Sequence, residues 1–159
     1  MSWSPRVTVA AVVERQGRFL MVEETSNGRL VLNQPAGHLE DNESLNEAMC
    51  RETLEESAWH VRPLAVVGLY LWRHPRKQVT VLRIAFAAEA TEHDPDRVLD
   101  TGIERALWLS RDDLLAEKAR LRSPLVMQTL DDYLGGDLHP LSLVESQGLD
   151  SLLNQARAI

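Results

Sequence analysis

The chain is poor in whatever would staple it, anchor it or draw it to a polyanion. A single cysteine, Cys50, stands among 159 residues, so no internal disulfide can form, and that usage fits a reducing, cytoplasmic compartment. Cys50 itself reads as a small, partly buried helix residue, since no base is placed beside it to make a nucleophile. The opening stretch MSWSPRVTVA has no long apolar run, so neither a signal peptide nor a membrane span is expected. Basic residues are outnumbered, 17 Lys and Arg against 24 Asp and Glu, for a formal charge of −7. That deficit opposes binding to DNA, RNA or an anionic membrane, each of which needs a basic surface. It leaves small phosphorylated molecules open as substrates, because a bound cation inverts the local field. Neither G-x-G-x-x-G after a strand nor G-x-x-x-x-G-K-[ST] occurs, so Rossmann-type and P-loop nucleotide binding are unsupported.

What is there suits one globular domain over 1–159, as a monomer or small homo-oligomer: the composition is 44% hydrophobic and 26% charged. A core is expected over about 7–140, with a C-terminal extension at 141–159. Val7 to Val13 is β-branched and apolar on both faces, like a strand inside a covered sheet. Phe19 to Glu24 returns after a turn at Gln16-Gly17, and Leu30 to Leu32 makes a short third strand. Two further strands are expected at Leu64–Arg73 and Gln78–Ala88, the second half-buried by its alternation, and a closing strand at Ile103–Leu109. Glu89 to Gly102 is acidic, contains Pro95 and lacks a period, which predicts a long loop whose Asp94, Asp96 and Asp100 merely meet solvent. Ser110 with Asp113 caps a short helix; Ser123-Pro124 opens another, as N-cap and first helical residue, and Gly135-Gly136 stops it. A last short helix at Leu149–Ala158, or a loose tail, completes the chain. Strands with helices between and after them indicate an α+β or mixed α/β fold.

One stretch carries chemistry. A Pro/Gly turn at Gln34–Gly37 leads through an acidic loop into a helix that Ser44 and Glu47 begin with a capping box. On that helix Glu52, Glu55 and Glu56 fall within about a 100° arc. Leu45, Ala48 and Met49 lie near the arc, so that side packs on a sheet while later turns reach the site. Three carboxylates so placed repel one another unless a cation sits among them, and hard oxygen donors suit Mg²⁺ or Mn²⁺. A solvated acidic helix face is the bland alternative. For Arg51 the choices are a surface pair with Glu47 or Glu55, a brace within the site, or a direct phosphate contact.

The spacing G-x5-E-x7-R-E-x-x-E-E, at Gly37, Glu43, Arg51, Glu52, Glu55 and Glu56, resembles the Nudix box, G-x5-E-x7-R-E-U-x-E-E-x-G-U with U a bulky aliphatic. Thr53 departs from the first U, Ala58 from the last Gly and Trp59 from the final U; Ala58 bears on the tightness of the helix end. VTVA, VEET at Val22–Thr25, NQPAGHLE at Asn33–Glu40 and LRSPLV at Leu121–Val126 resemble the NudJ-type phosphatase branch of that family. The resemblance implies an α/β/α sandwich with a mixed central sheet and Mg²⁺-dependent (or Mn²⁺-dependent) hydrolysis of a phosphoanhydride. It implies nucleoside tri- and diphosphates, hydroxymethylpyrimidine pyrophosphate and thiamine pyrophosphate as substrates. ADP-ribose or diadenosine polyphosphate hydrolysis, or a non-catalytic ligand-sensing module, are the rival readings.

By the same resemblance Glu52, Glu55, Glu56 and the Gly37 carbonyl hold metal, while Glu43 and Arg51 keep them in place. Glu52 or a loop acid takes the proton of the attacking water. Many members of the family carry an extra acid six residues before the closing-strand Trp; counted from Trp108 that position is Gly102, and Glu104 lies four before it. Glu104 is therefore a candidate base or ligand, with an outward strand residue as the alternative. Trp72 can stack on a base or pack in a hairpin, and Arg73 and Arg122 can meet phosphate or only water. His38 is expected to steady the loop, since no second His stands at ligand spacing.

Overall fold

The computed structural model describes residues 2–151. Among the described residues seven strands and three α-helices follow one another as β1 (Arg6–Arg15), β2 (Arg18–Ser26), β3 (Arg29–Asn33), β4 (Ala36–His38), α1 (Leu45–Ser57), β5 (Trp59–Arg73), β6 (Thr80–His93), β7 (Ile103–Leu109), α2 (Arg111–Ala116) and α3 (Leu125–Gly135). The mixed sheet runs β3-β2-β1-β6-β5, with β4 paired to β1 and β7 to β2. Only β1 and β6 run parallel, in register from Arg6 opposite Val81 to Val13 opposite Ala88.

The apolar run of β1 is buried on both faces, and its two faces belong to two cores. Val9, Ala11 and Val13 pack with Ala48 and Met49 of α1 and with Ile84 and Phe86 of β6. Ala10 and Val12 pack on the other side with Ala85 and Ala87 of β6, Leu114 of α2, and Val126 and Leu130 of α3. The α/β/α sandwich expected from the sequence is the fold observed. Because both layers are present, β6 is not half-buried: Arg83 through Ala88 are all buried.

Local chemistry explains the helix ends. Ser44 Oγ accepts from Glu47 N while Glu47 reaches back to Ser44 N, and Ser110 with Asp113 repeats the arrangement for α2. At α3 the expected cap is displaced by one residue: Pro124 holds the cap position, and Ser123 Oγ accepts from Leu125 N at 3.2 Å. Gly136 closes α3 at φ 77°.

Three other boundaries differ from expectation. Ala36 and Gly37, read as a turn, form β4, antiparallel to β1 with Gly37 opposite Val9. β5 begins at Trp59 rather than Leu64 and accommodates Pro63 at a register shift between Pro63 and Ala65, where a ladder donor is dispensable. The first residues of β5 pair with Glu89 to His93, so the loop read at 89–102 shrinks to 94–102. That shorter loop is tied down: Asp94 N donates to Ala58 O, Asp100 N to Glu55 O, and Thr25 N to Gly102 O. Residues 152–158 of the expected last helix lie outside the described residues.

Candidate functional site

Two connected strand–helix approaches build the site. β4 lays Gly37 against α1 so closely that a Cβ there would stand 2.0 Å from the carboxyl carbon of Glu52. Any side chain at position 37 would push the Glu52 carboxylate out of that place. One turn further along α1, Glu56 Oε2 accepts from Ala36 N at 3.1 Å. Glu52, Glu55 and Asp100 each bring an oxygen within 4.8 Å of the others. Asp100 arrives there because its own backbone is bonded to the C-terminal turn of α1.

Arg51 threads the cluster. Its Nε and Nη2 donate to the two oxygens of Glu43 at 2.9 and 2.7 Å, and Nη2 also to His38 O at 3.0 Å. Nη1 bridges Glu52 at 2.9 Å and Glu55 at 3.1 Å. Of the readings open for Arg51, its contacts are those of a brace tying the acidic loop to two glutamates on the helix. Burial raises the pKa of Glu52, and the Arg51 guanidinium opposes that rise while Glu55 and Asp100 add to it. Glu56 is pushed up to about 8, mainly by burial and further by Glu24, Glu52 and Asp100, with the Ala36 amide pulling the other way. Glu43 is held below the usual carboxylate range by its bonds to Arg51, against the effect of burial. The donor set is carboxylate oxygen throughout, the hard-ligand chemistry of Mg²⁺ or Mn²⁺, and its crowded negative charge is what a cation would relieve. A divalent cation therefore fits these residues.

Glu52 and Glu56 form one wall of a cleft of about 910 Å³ that also reaches Trp72, Arg122 and Ser123. Six Arg or Lys side chains line it against four carboxylates, a local excess of positive charge in a chain of net charge −7. Such a cleft draws in anions.

The sequence profile of the NUDIX domain matches residues 4–130. The chain belongs to the Nudix family of hydrolases. It is similar to Phosphatase NudJ of Escherichia coli strain K12, at 40% identity over 142 residues, 89% of this chain and 92% of that one. A NUDIX hydrolase from Nitrosomonas europaea superposes with a TM-score of 0.89 at 45% identity, covering 90% of this chain and 97% of its own. A MutT NUDIX hydrolase from Burkholderia pseudomallei, at 20% identity and a TM-score of 0.69, shares the fold.

Outside the Nudix box the expected residues divide. Trp72 lines the cleft and an adjoining apolar pocket with His74, Leu121, Pro124 and Met127. Arg122 lines both and donates to Glu24 at 2.7 Å. Arg73 is exposed, bonds Gln78 and does not line the cleft, whereas Arg76 and Lys77 of the same hairpin do. Glu104 is exposed and accepts from Thr25 Oγ1 at 3.1 Å; it does not belong to the three-carboxylate group. The structure adds two residues to those the sequence points to. Asp100, read as a loop charge, joins Glu52 and Glu55, and no spacing announces the loop contact that takes it there. Arg83, read as one face of an alternating strand, is buried on the cleft floor; a lone arginine inside VLRIAFAA was the available signal. Among the described residues no helix is long and apolar enough to cross a membrane.

Proposed function

We propose that this Nudix protein is a cytoplasmic, Mg²⁺-dependent phosphohydrolase that cleaves phosphoanhydride bonds. Its proposed substrates are small nucleoside tri- and diphosphates and thiamine-pathway pyrophosphates, hydroxymethylpyrimidine pyrophosphate and thiamine pyrophosphate among them. The observation that carries this reading is the carboxylate wall of Glu52 and Glu56, backed by Glu55 and Asp100, at the edge of a cleft richer in cations than in anions. The 40% identity to Phosphatase NudJ supports the phosphohydrolase activity.

Glu52, Glu55 and Glu56, with the Gly37 carbonyl and Asp100, would hold the metal. Bound there, Mg²⁺ supplies Lewis acidity toward phosphoryl oxygens and water. Arg51 and Glu43 keep the glutamates from splaying apart under their own repulsion. Glu56 must give up its proton to serve as a ligand, which ties metal affinity to pH. The water's proton goes to Glu52 or to an acid of the 100–104 segment, Asp100 or Glu104. Trp72 offers a flat apolar surface to the heterocycle, and Arg122 a charge to a phosphate.

Phosphate release across nucleoside tri- and diphosphates, hydroxymethylpyrimidine pyrophosphate, thiamine pyrophosphate, ADP-ribose and a diadenosine polyphosphate, with Mg²⁺ and then with chelator, tests this. Turnover on the first three classes that stops on chelation is expected. Turnover surviving chelation would overturn the metal reading, and a large preference for ADP-ribose or the diadenosine polyphosphate would overturn the substrate class.

A further inference from the structure

Arg83 is the only buried Arg or Lys among the described residues, 5% exposed, and it lies on the floor of the cleft. It stands in the middle of β6 opposite Tyr70 of β5, on the face shared with Ala85 and Ala87. Its guanidinium finds only neutral acceptors: Nη2 donates to Gln34 Oε1 at 2.7 Å, and Nη1 reaches Asn33 Oδ1 at 3.4 Å. Nε has no partner, and among the described residues no carboxylate forms an ion pair with it. Gln34 is itself pinned, its amide nitrogen donating to Val126 O at 2.9 Å, so its oxygen is held facing Arg83. Burial pulls the Arg83 pKa down to about 10, while Tyr70 and Glu56 act the other way.

This differs from how the chain treats other arginines near its acids. Arg51, Arg105, Arg120 and Arg122 each end on a carboxylate. A desolvated guanidinium oriented by two amides but left without an ion-pair partner is costly in the free protein. The cost is recovered when an anion completes its donor set, because charge-assisted bonds in a water-poor site are the strong ones. Arg83 itself lines the cleft whose other wall is Glu52 and Glu56.

We infer that Arg83 is a substrate-positioning residue: from the cleft floor its guanidinium receives a phosphate oxygen of the bound phosphoanhydride, aligned by Asn33 and Gln34. The inference rests on the hydrolase reading given above and adds to it a residue outside the Nudix box.

Calorimetric binding of inorganic pyrophosphate and of a methylene-bridged nucleoside triphosphate, both with Mg²⁺, is measured on the full chain and on Arg83→Met and Arg83→Lys. Melting temperatures are recorded with and without pyrophosphate. Affinity for both probes falls about tenfold to a hundredfold in Arg83→Met, the range for one charge-assisted contact, while the free variant stays folded and loses its pyrophosphate-induced rise in Tm. Arg83→Lys, which keeps the charge but not the fork, loses less affinity. In turnover, KM rises by more than kcat falls. Unchanged pyrophosphate affinity in a folded variant overturns the proposal. Loss of triphosphate binding with pyrophosphate binding intact also overturns it, by moving Arg83 to the heterocycle. If Arg83→Met does not fold, Arg83→Lys decides on the same two probes. Absence of turnover in the parent protein on every phosphoanhydride would sink the hydrolase reading alone, since pyrophosphate calorimetry judges Arg83 without it.

Discussion

Two glutamates have nearly the same small exposure, Glu23 at 5% and Glu56 at 8%, although Glu56 lies deeper, and the chain treats them in opposite ways. Glu23 on β2 takes Arg105 Nε on one oxygen and Arg120 Nη1 on the other, each at 3.0 Å. Burial pushes its pKa up, but those two bonds outweigh it and hold the carboxyl below the usual range. Glu56 has one backbone amide and faces Glu24, Glu52 and Asp100, so burial carries it to about 8. Burial of an acid therefore does not mark a functional site. Of the two, the acid without compensation is the one that lines the cleft.

The largest effect expected from that contrast is on turnover. Glu56→Gln removes the carboxylate without changing its shape, and activity should fall roughly a thousandfold while the protein stays folded. Glu23→Gln should leave kcat/KM within about threefold of the parent and instead cost about 1–3 kcal/mol in urea unfolding, since two partly exposed arginines lose their partner. If the two substitutions exchanged effects, the contrast would be void.

The next effect is on stability against pH. Folding raises the Glu56 pKa from 4.5 to about 8, so between those values the unfolded chain has released the proton that the folded chain keeps. Stability of the chelated protein must then fall as pH rises through that window, by an amount on the order of a few kcal/mol. Glu52, also raised, adds in the same sense. Glu23 and Glu43 are lowered, so their contributions are complete above 4.5 and vanish only at lower pH, leaving this window alone. Thermal melts in chelator at pH 5.5 and 8 should show the loss, and Glu56→Gln should flatten it. A slope that persists in Glu56→Gln would assign it to another group.

A smaller loss should follow Arg51→Lys. An ammonium cannot span Glu43, Glu52 and Glu55 together, and kcat/KM should drop about tenfold to a hundredfold. Full activity would reduce Arg51 to a dispensable charge.

What could be read from the chain and what could not follow the same division between local and long-range causes. The capping boxes at Ser44 and Ser110, the glycine stop at Gly136 and the apolar run of β1 are local signals, and each stands where the residues place it. Glu52, Glu55 and Glu56 share a helix face by spacing alone. Asp100 reaches them through a backbone bond to Glu55 across a loop without period, which no window of sequence contains. Glu89 to His93 reads as loop because it is acidic and lacks a period; in β6 these residues are mostly exposed, so pairing with β5 leaves no apolar alternation to see. Arg83 escapes the sequence for the converse reason: alternation in β6 reads as one wet face, and the layer of α2 and α3 makes that face dry.

The smallest prediction concerns the end of the helix that carries the uncompensated acid. Ala58 caps α1 at φ 61° and ψ 17°, a left-handed conformation, where the Nudix pattern has glycine. A β-carbon there costs about 1 kcal/mol, so Ala58→Gly should gain roughly 0.5–1 kcal/mol in denaturant unfolding, about a tenth of a typical domain's stability. Ala58 O also receives Asp94 N at 2.9 Å, at the start of the loop that delivers Asp100. If kcat stays level while stability rises, the strain is incidental to where Glu55, Glu56 and Asp100 stand. A fall in kcat with unchanged KM would mean that the strained helix end helps to hold those acids together, so that their crowding is enforced from the backbone as well as by Arg51.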